Sequence, residues 1–165
     1  MELVAINTPS PLTPRSMEGN MNKVLILLIL FFSINIVAEE AIIPPENIVI
    51  LNTKESTWTP TAEQVDAALK KVFEFIDNPS NVNDWQKSEI QKIKNKLTSY
   101  NVQFVGKEDN GNKIIWCNFF INYEERFDYW KKGVVFVLDG GNNFWQIMYD
   151  PKSDSCYKFY SNGYA

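Results

Sequence analysis

From Tyr100 onward the chain changes its period, and this change limits the folds open to it more than any other feature. Tyr100, Val102 and Phe104 alternate with Asn101, Gln103 and Val105, the period of a strand that buries one face. Asp109-Asn110-Gly111-Asn112 follows. Asn-Gly accepts the positive φ angles of a two-residue hairpin turn, so residues 113–122 are predicted as the returning strand. Residues 133–138, 143–149 and 155–160 continue the pattern, separated by turn signals at Asp139-Gly140-Gly141-Asn142 and Asp150-Pro151-Lys152-Ser153. An antiparallel meander is expected.

Upstream the period is helical. Thr61 and Gln64 have the spacing of a capping box, and Val65, Ala68, Leu69, Val72, Phe73 and Ile76 then form one apolar stripe. This predicts a helix over residues 62–77, stopped at Asn78-Pro79. Ile90, Ile93 and Leu97 predict a second helix over 84–98 with lysines on its outer face. A short strand is expected at 47–51, after Pro44-Pro45. A sheet with one apolar face needs a cover, and the first helix supplies it. The predicted class is α+β, an amphipathic helix packed on a curved antiparallel sheet.

That order of elements resembles the cystatin-like and nuclear-transport-factor-like rolls over residues 39–165, at the level of topology. Cystatin-like inhibitors use a Gln-x-Val-x-Gly hairpin and a Pro-Trp loop. Here Gln103-Phe104-Val105-Gly106 is one residue short of that motif, lies within a predicted strand, and has no Pro-Trp pair to accompany it. Protease inhibition is therefore an analogy. The motifs Gln103-Phe-Val-Gly, Asn118-Phe-Phe, Asp139-Gly-Gly with Phe144-Trp145, Tyr149-Asp150 and Asn162-Gly-Tyr-Ala are similar to those of exported bacterial single-domain proteins of uncharacterised activity. The resemblance implies a secreted domain and no particular chemistry.

Export is also read from the N-terminal part. Lys23, the uniformly apolar run from Val24 to Phe32, and Ile36-Val37-Ala38 before Glu39-Glu40 have the layout of a cleavable signal peptide. The expected cut follows Ala38, the expected start is Met21, and residues 1–38 are set apart from a single domain at 39–165. The apolar stretch is shorter than the roughly 20 residues that span a bilayer, so no stable membrane anchor is expected and the product is secreted or periplasmic.

Loss of that leader removes Glu2, Arg15, Glu18 and Lys23 and leaves the net charge at −4. The one lysine cluster, Lys87, Lys92, Lys94 and Lys96, is interleaved with helix-spaced apolar residues and reads as a solvated helix face. It offers no basic stripe for phosphates, so nucleic acid is not an expected partner. Cys117 and Cys156 suggest one disulfide in an oxidising compartment, or else two small buried side chains. The chain has no histidine, so a cysteine nucleophile would lack its usual base, and no metal cluster or cofactor motif is visible.

Three segments could carry function. Residues 122–130 combine Tyr123, Phe127, Tyr129 and Trp130 with Glu124, Glu125, Arg126 and Asp128, a mixture suited to a partner surface or to plugging the end of the sheet. Asp139 to Asn143 has oxygens for calcium but lacks the spaced carboxylates of a dedicated loop, and a tight turn explains its glycines. Trp116, Trp145 and Tyr149, with Asp139 or Asp150, could line a pocket between helix and sheet. No catalytic residue is assigned. The leading expectation is a binding or inhibitory module that offers residues 123–130, or the open face of its sheet, to an exported or envelope protein. The alternative is a small-molecule or catalytic pocket.

Overall fold

The computed structural model describes residues 43–164, and the expected leader, cut and start site lie outside them. Strand β1 (Ile48–Leu51) leads to helices α1 (Ala62–Asp77) and α2 (Asp84–Lys94). Strands β2 (Asn101–Asp109), β3 (Asn112–Phe120), β4 (Phe144–Asp150) and β5 (Ser155–Ser161) follow. The fold is α+β, with two helices packed on a five-stranded mixed sheet. None of the described helices is long and apolar enough to cross a membrane.

Helix α1 has the bounds expected from its pattern. The Thr61 hydroxyl accepts from the Gln64 amide (3.3 Å) while the Gln64 side chain accepts from the Thr61 amide (3.0 Å), so two orphan donors of the first turn are satisfied reciprocally. Asn83 and Gln86 repeat the arrangement at the start of α2. Helix α2 ends at Lys94 rather than near 98, and a 3-10 turn at Leu97–Ser99 carries the chain into β2.

The sheet runs β1-β2-β3-β4-β5. Strands β2 to β5 form the expected meander, with Asn110 (φ 51°) and Gly111 (φ 78°) making the first turn. Strand β1 departs from expectation and pairs parallel to β2. Two helices lie between these strands and return the chain to the end from which it started, which is the crossover that parallel pairing requires. A second departure is at residues 133–138, where the predicted strand is absent.

Alternation divides the sheet into two faces. Val102, Phe104, Ile115, Cys117, Phe119, Trp145, Ile147 and Tyr149 face α1 and α2 and form the main core with Val65, Ala68, Val72, Ile90 and Ile93. Within it Trp145 stacks on Phe119 with centroids 3.8 Å apart. Gly106 admits the loop before α1. The Trp58 indole donates to the Lys107 carbonyl (2.8 Å), and a Cβ on Gly106 would stand 2.2 Å from the Trp58 carbonyl oxygen. The opposite face carries Gln103, Val105, Trp116, Asn118, Phe120 and Met148, and its covering decides where a site can lie.

Candidate functional site

The chain between β3 and β4 crosses this outer face as a strap. Phe127 and Trp130 turn inward, 7% and 8% exposed, and meet the Phe120 ring edge-on at 5.8 and 5.7 Å. With Val135 they form a second, smaller core. Glu124 and Glu125 both take positive φ, and the Asn122 carboxamide oxygen accepts from the Phe127 amide (2.9 Å). The turns so formed hold the two rings over the sheet.

Side-chain amides fasten the strap. Gln103 donates to the carbonyls of Trp130 (2.6 Å) and Gly133 (2.8 Å), and its carbonyl oxygen accepts from the Val135 amide (2.9 Å). Asn118 donates to Gln103 (3.0 Å) and to the Val135 carbonyl (2.9 Å). Asn162, beyond β5, donates to the carbonyls of Val137 (2.6 Å) and Asp139 (3.0 Å). The segment thus meets β2, then β3, then the end of β5, running across the strands. Its unbroken apolar run, Val134 to Leu138, looks like a strand in sequence. Its polar backbone atoms nonetheless bond to buried carboxamides instead of a neighbouring strand, and that satisfies them equally well. Val135 points in, while Phe136 and Leu138 are 67% and 79% exposed.

A clasp closes the far end of the strap. Glu89 of α2, 1% exposed, accepts from Lys92 (2.6 Å), Asn142 (3.1 Å) and the Tyr164 hydroxyl (2.8 Å). Burial pushes this carboxyl up, but the hydrogen bonds from Lys92, Tyr164 and Asn142 outweigh it and hold it below the usual carboxylate range. The Lys96 ammonium donates to the side-chain oxygens of Asn142 and Asn143, and burial lowers its pKa. The Gly141 amide donates to the Gly163 carbonyl (2.9 Å), and a Cβ on Gly141 would stand 2.1 Å from the Tyr164 ring. Asp139-Gly-Gly and Asn162-Gly-Tyr, far apart in sequence, are therefore the two jaws of one fastening.

Part of the outer face stays uncovered, at Trp116, Gln146 and Met148. Beyond the strap a groove of ≈ 340 Å³ has Ile114, Trp116 and Met148 in its lining, together with Gln146 and charged residues from the ends of β2 and β5. Lys158 and Asp109 pair across its edge at 2.6 Å.

The expected site residues are distributed as follows. Tyr123, Glu124, Glu125 and Arg126 are exposed on the strap, while Phe127 and Trp130 are its inward anchors. Trp145 and Tyr149 face the helices, Trp116 faces the opposite way, and Asp139 is exposed on the strap. Asp150 caps the β4–β5 turn through the Lys152 amide (2.8 Å) and Ser153 hydroxyl (2.9 Å). These five residues do not line one space. Among the described residues no three metal-ligating side chains converge.

The disulfide expectation is corrected, since Cys117 and Cys156 are both free. Cys117 lies on β3 and Cys156 on β5, with β4 between them. Two strand spacings amount to about 9.6 Å, beyond the roughly 7 Å between Cα atoms that a disulfide spans. Burial pushes both thiols up, Cys156 to about 12.

The sequence reading missed Glu89 and met Gln103, Asn118 and Asn162 only as motif positions, with no role assigned to them. The available signal was position. Glu89 stands four residues before Ile93 and so beside the apolar stripe of α2, and Asn118 falls between apolar neighbours in β3. No protein-family model matches the chain, and neither a curated protein nor a solved structure matches it.

Proposed function

We propose that the chain is an exported binding or inhibitory module that offers the outward side of its strap to a protein partner. The observation that carries this reading is the exposure of Phe136 and Leu138 on a segment whose anchors and fastenings are buried. A segment whose backbone is already fastened loses little freedom on binding, so more of the contact energy becomes affinity. Exposed aromatic and aliphatic groups raised from a polar surface are what an apolar cleft in a partner accepts. Tyr123 and Tyr129, both exposed, lie on the same strap. Phe127 and Trp130 serve the contact from below by fixing the strap.

The finer comparison with a cystatin-like or nuclear-transport-factor-like roll belongs to this proposal. It is supported by the order of one strand, then helix, then a four-stranded meander. The parallel β1–β2 pair and the second helix depart from it. Gln103 is buried and fastens the strap, so the part of the chain nearest to a cystatin-like motif is not a free hairpin.

The test is affinity capture from the envelope and medium of the producing cell. Phe136→Ser with Leu138→Ser is expected to keep the native circular dichroism spectrum and lose a partner that the unaltered chain retains. Trp130→Ala and Phe127→Ala should lose the same partner by releasing the strap. An interaction set unchanged by Phe136→Ser and Leu138→Ser counts against this surface.

A further inference from the structure

The open groove beside the strap has a composition of its own. Trp116 and Met148 are direct cross-strand partners, so ring and thioether lie side by side as one apolar floor with Ile114. The Lys107 ammonium stands 5.6 Å from the Trp116 ring centroid, so the face of that ring is reached by a polar group from the solvent side. Gln146, in register with Asn118 beside Trp116, adds an amide that both donates and accepts. The volume of ≈ 340 Å³ lies at the lower end of small-molecule sites, about 300–1,000 Å³.

Charge narrows the ligand. The lining holds two lysines, Lys107 and Lys158, and two carboxylates, Glu108 and Asp109. An anion would meet the carboxylates and a cation the lysines, so neither sign is selected. An extended peptide would need a free strand edge for its backbone, and the floor is built from β3 and β4, which are paired on both sides. A ligand that suits the groove is neutral, presents an apolar C–H face to an aromatic ring, and carries hydroxyls around its rim for an amide and paired charges. A sugar ring has that chemistry.

We propose that this groove binds one residue of a neutral glycan, with the sugar stacked on Trp116 and its hydroxyls bonded to Gln146 and the Asp109–Lys158 pair. Stacking displaces Lys107 from the ring and leaves its ammonium free to donate to the ligand. This site is separate from the strap surface and stands whether or not a protein partner is found.

Nuclear magnetic resonance titration of the protein produced from its full-length gene, with hexa-N-acetylchitohexaose, cellohexaose and maltohexaose in turn, tests the proposal. Saturable shifts of the Trp116 indole and the Gln146 side-chain amide are expected with at least one of the three. Trp116→Leu, which keeps apolar bulk but removes the ring face, should weaken that binding about tenfold or more. Gln146→Leu provides a second variant that leaves the floor intact, and it should weaken binding as well. No saturable shift with any of the three probes, or equal affinity in both variants, overturns the assignment.

Discussion

The hydroxyl of Tyr164 donates to the buried carboxylate of Glu89 over 2.8 Å, tying the last described residue to helix α2 across 75 positions of sequence. The same carboxylate oxygen accepts from Asn142, in the 3-10 turn just before β4. One acidic side chain thus joins helix, strap and C-terminal tail.

Acid should open this clasp. A carboxyl with a folded-state pKa below its unfolded value stabilises the fold at pH above the unfolded value, about 4.3 for Glu. That contribution is lost as the pH falls through the folded value. Glu89 is lowered in this way. Glu89→Gln is expected to cost about 1–3 kcal/mol at pH 7, and the gap from the unaltered protein should shrink as the pH drops below about 4. Urea denaturation at a series of pH values reads both quantities. A gap that stays constant down to pH 3 would rule out the carboxylate as its source.

Gln103→Leu keeps approximate volume but strips partners from the carbonyls of Trp130 and Gly133 and from the Val135 amide. The expected loss is about 2–4 kcal/mol, because buried polar groups are left unpaired. Hydrogen exchange should quicken first at Val135, while the β3–β4 ladder stays protected. Uniform acceleration across the sheet would mean that Gln103 supports the whole fold and not the strap in particular.

The separation of Cys117 and Cys156 predicts that intact mass is the same under oxidising and reducing conditions. Both thiols should resist a thiol-specific reagent in the native state and react in denaturant, since burial disfavours the thiolate. A gain of two hydrogens on reduction would contradict this arrangement of strands.

Gly106→Ala should be more costly than Gly111→Ala. The first places a methyl group against the Trp58 backbone, whereas the second meets open space and suffers only from its positive φ. Overpacking costs about 1–3 kcal/mol, and more where the obstacle is backbone at 2.2 Å, against about 1–2 kcal/mol for a side chain in the left-handed turn. Thermal unfolding of the two variants compares them, and Trp58 should become more exposed only in Gly106→Ala.

The outward strap and the open groove were legible in sequence only as an aromatic segment and an isolated tryptophan. Trp116 carries the same period-two signal as its neighbours, and nothing local says that the strap stops short of it. Phe136 and Leu138 read as part of a strand because an apolar run with β-branched residues signals extended chain, and not which of its side chains will be covered.

What the sequence determined by itself is local. Thr61 and Gln64 set the start of α1, the stripe from Val65 to Ile76 set its buried face, and Asn110-Gly111 set the first hairpin. Each acts over a few residues through a backbone preference or a fixed period. Tertiary structure decided what depends on distant chain segments. It placed β1 parallel to β2, turned residues 133–138 into a strap, and buried Glu89. The physical reason is that a polar group can be satisfied by a strand, a carboxamide or water, and only the folded chain settles which of these lies within reach.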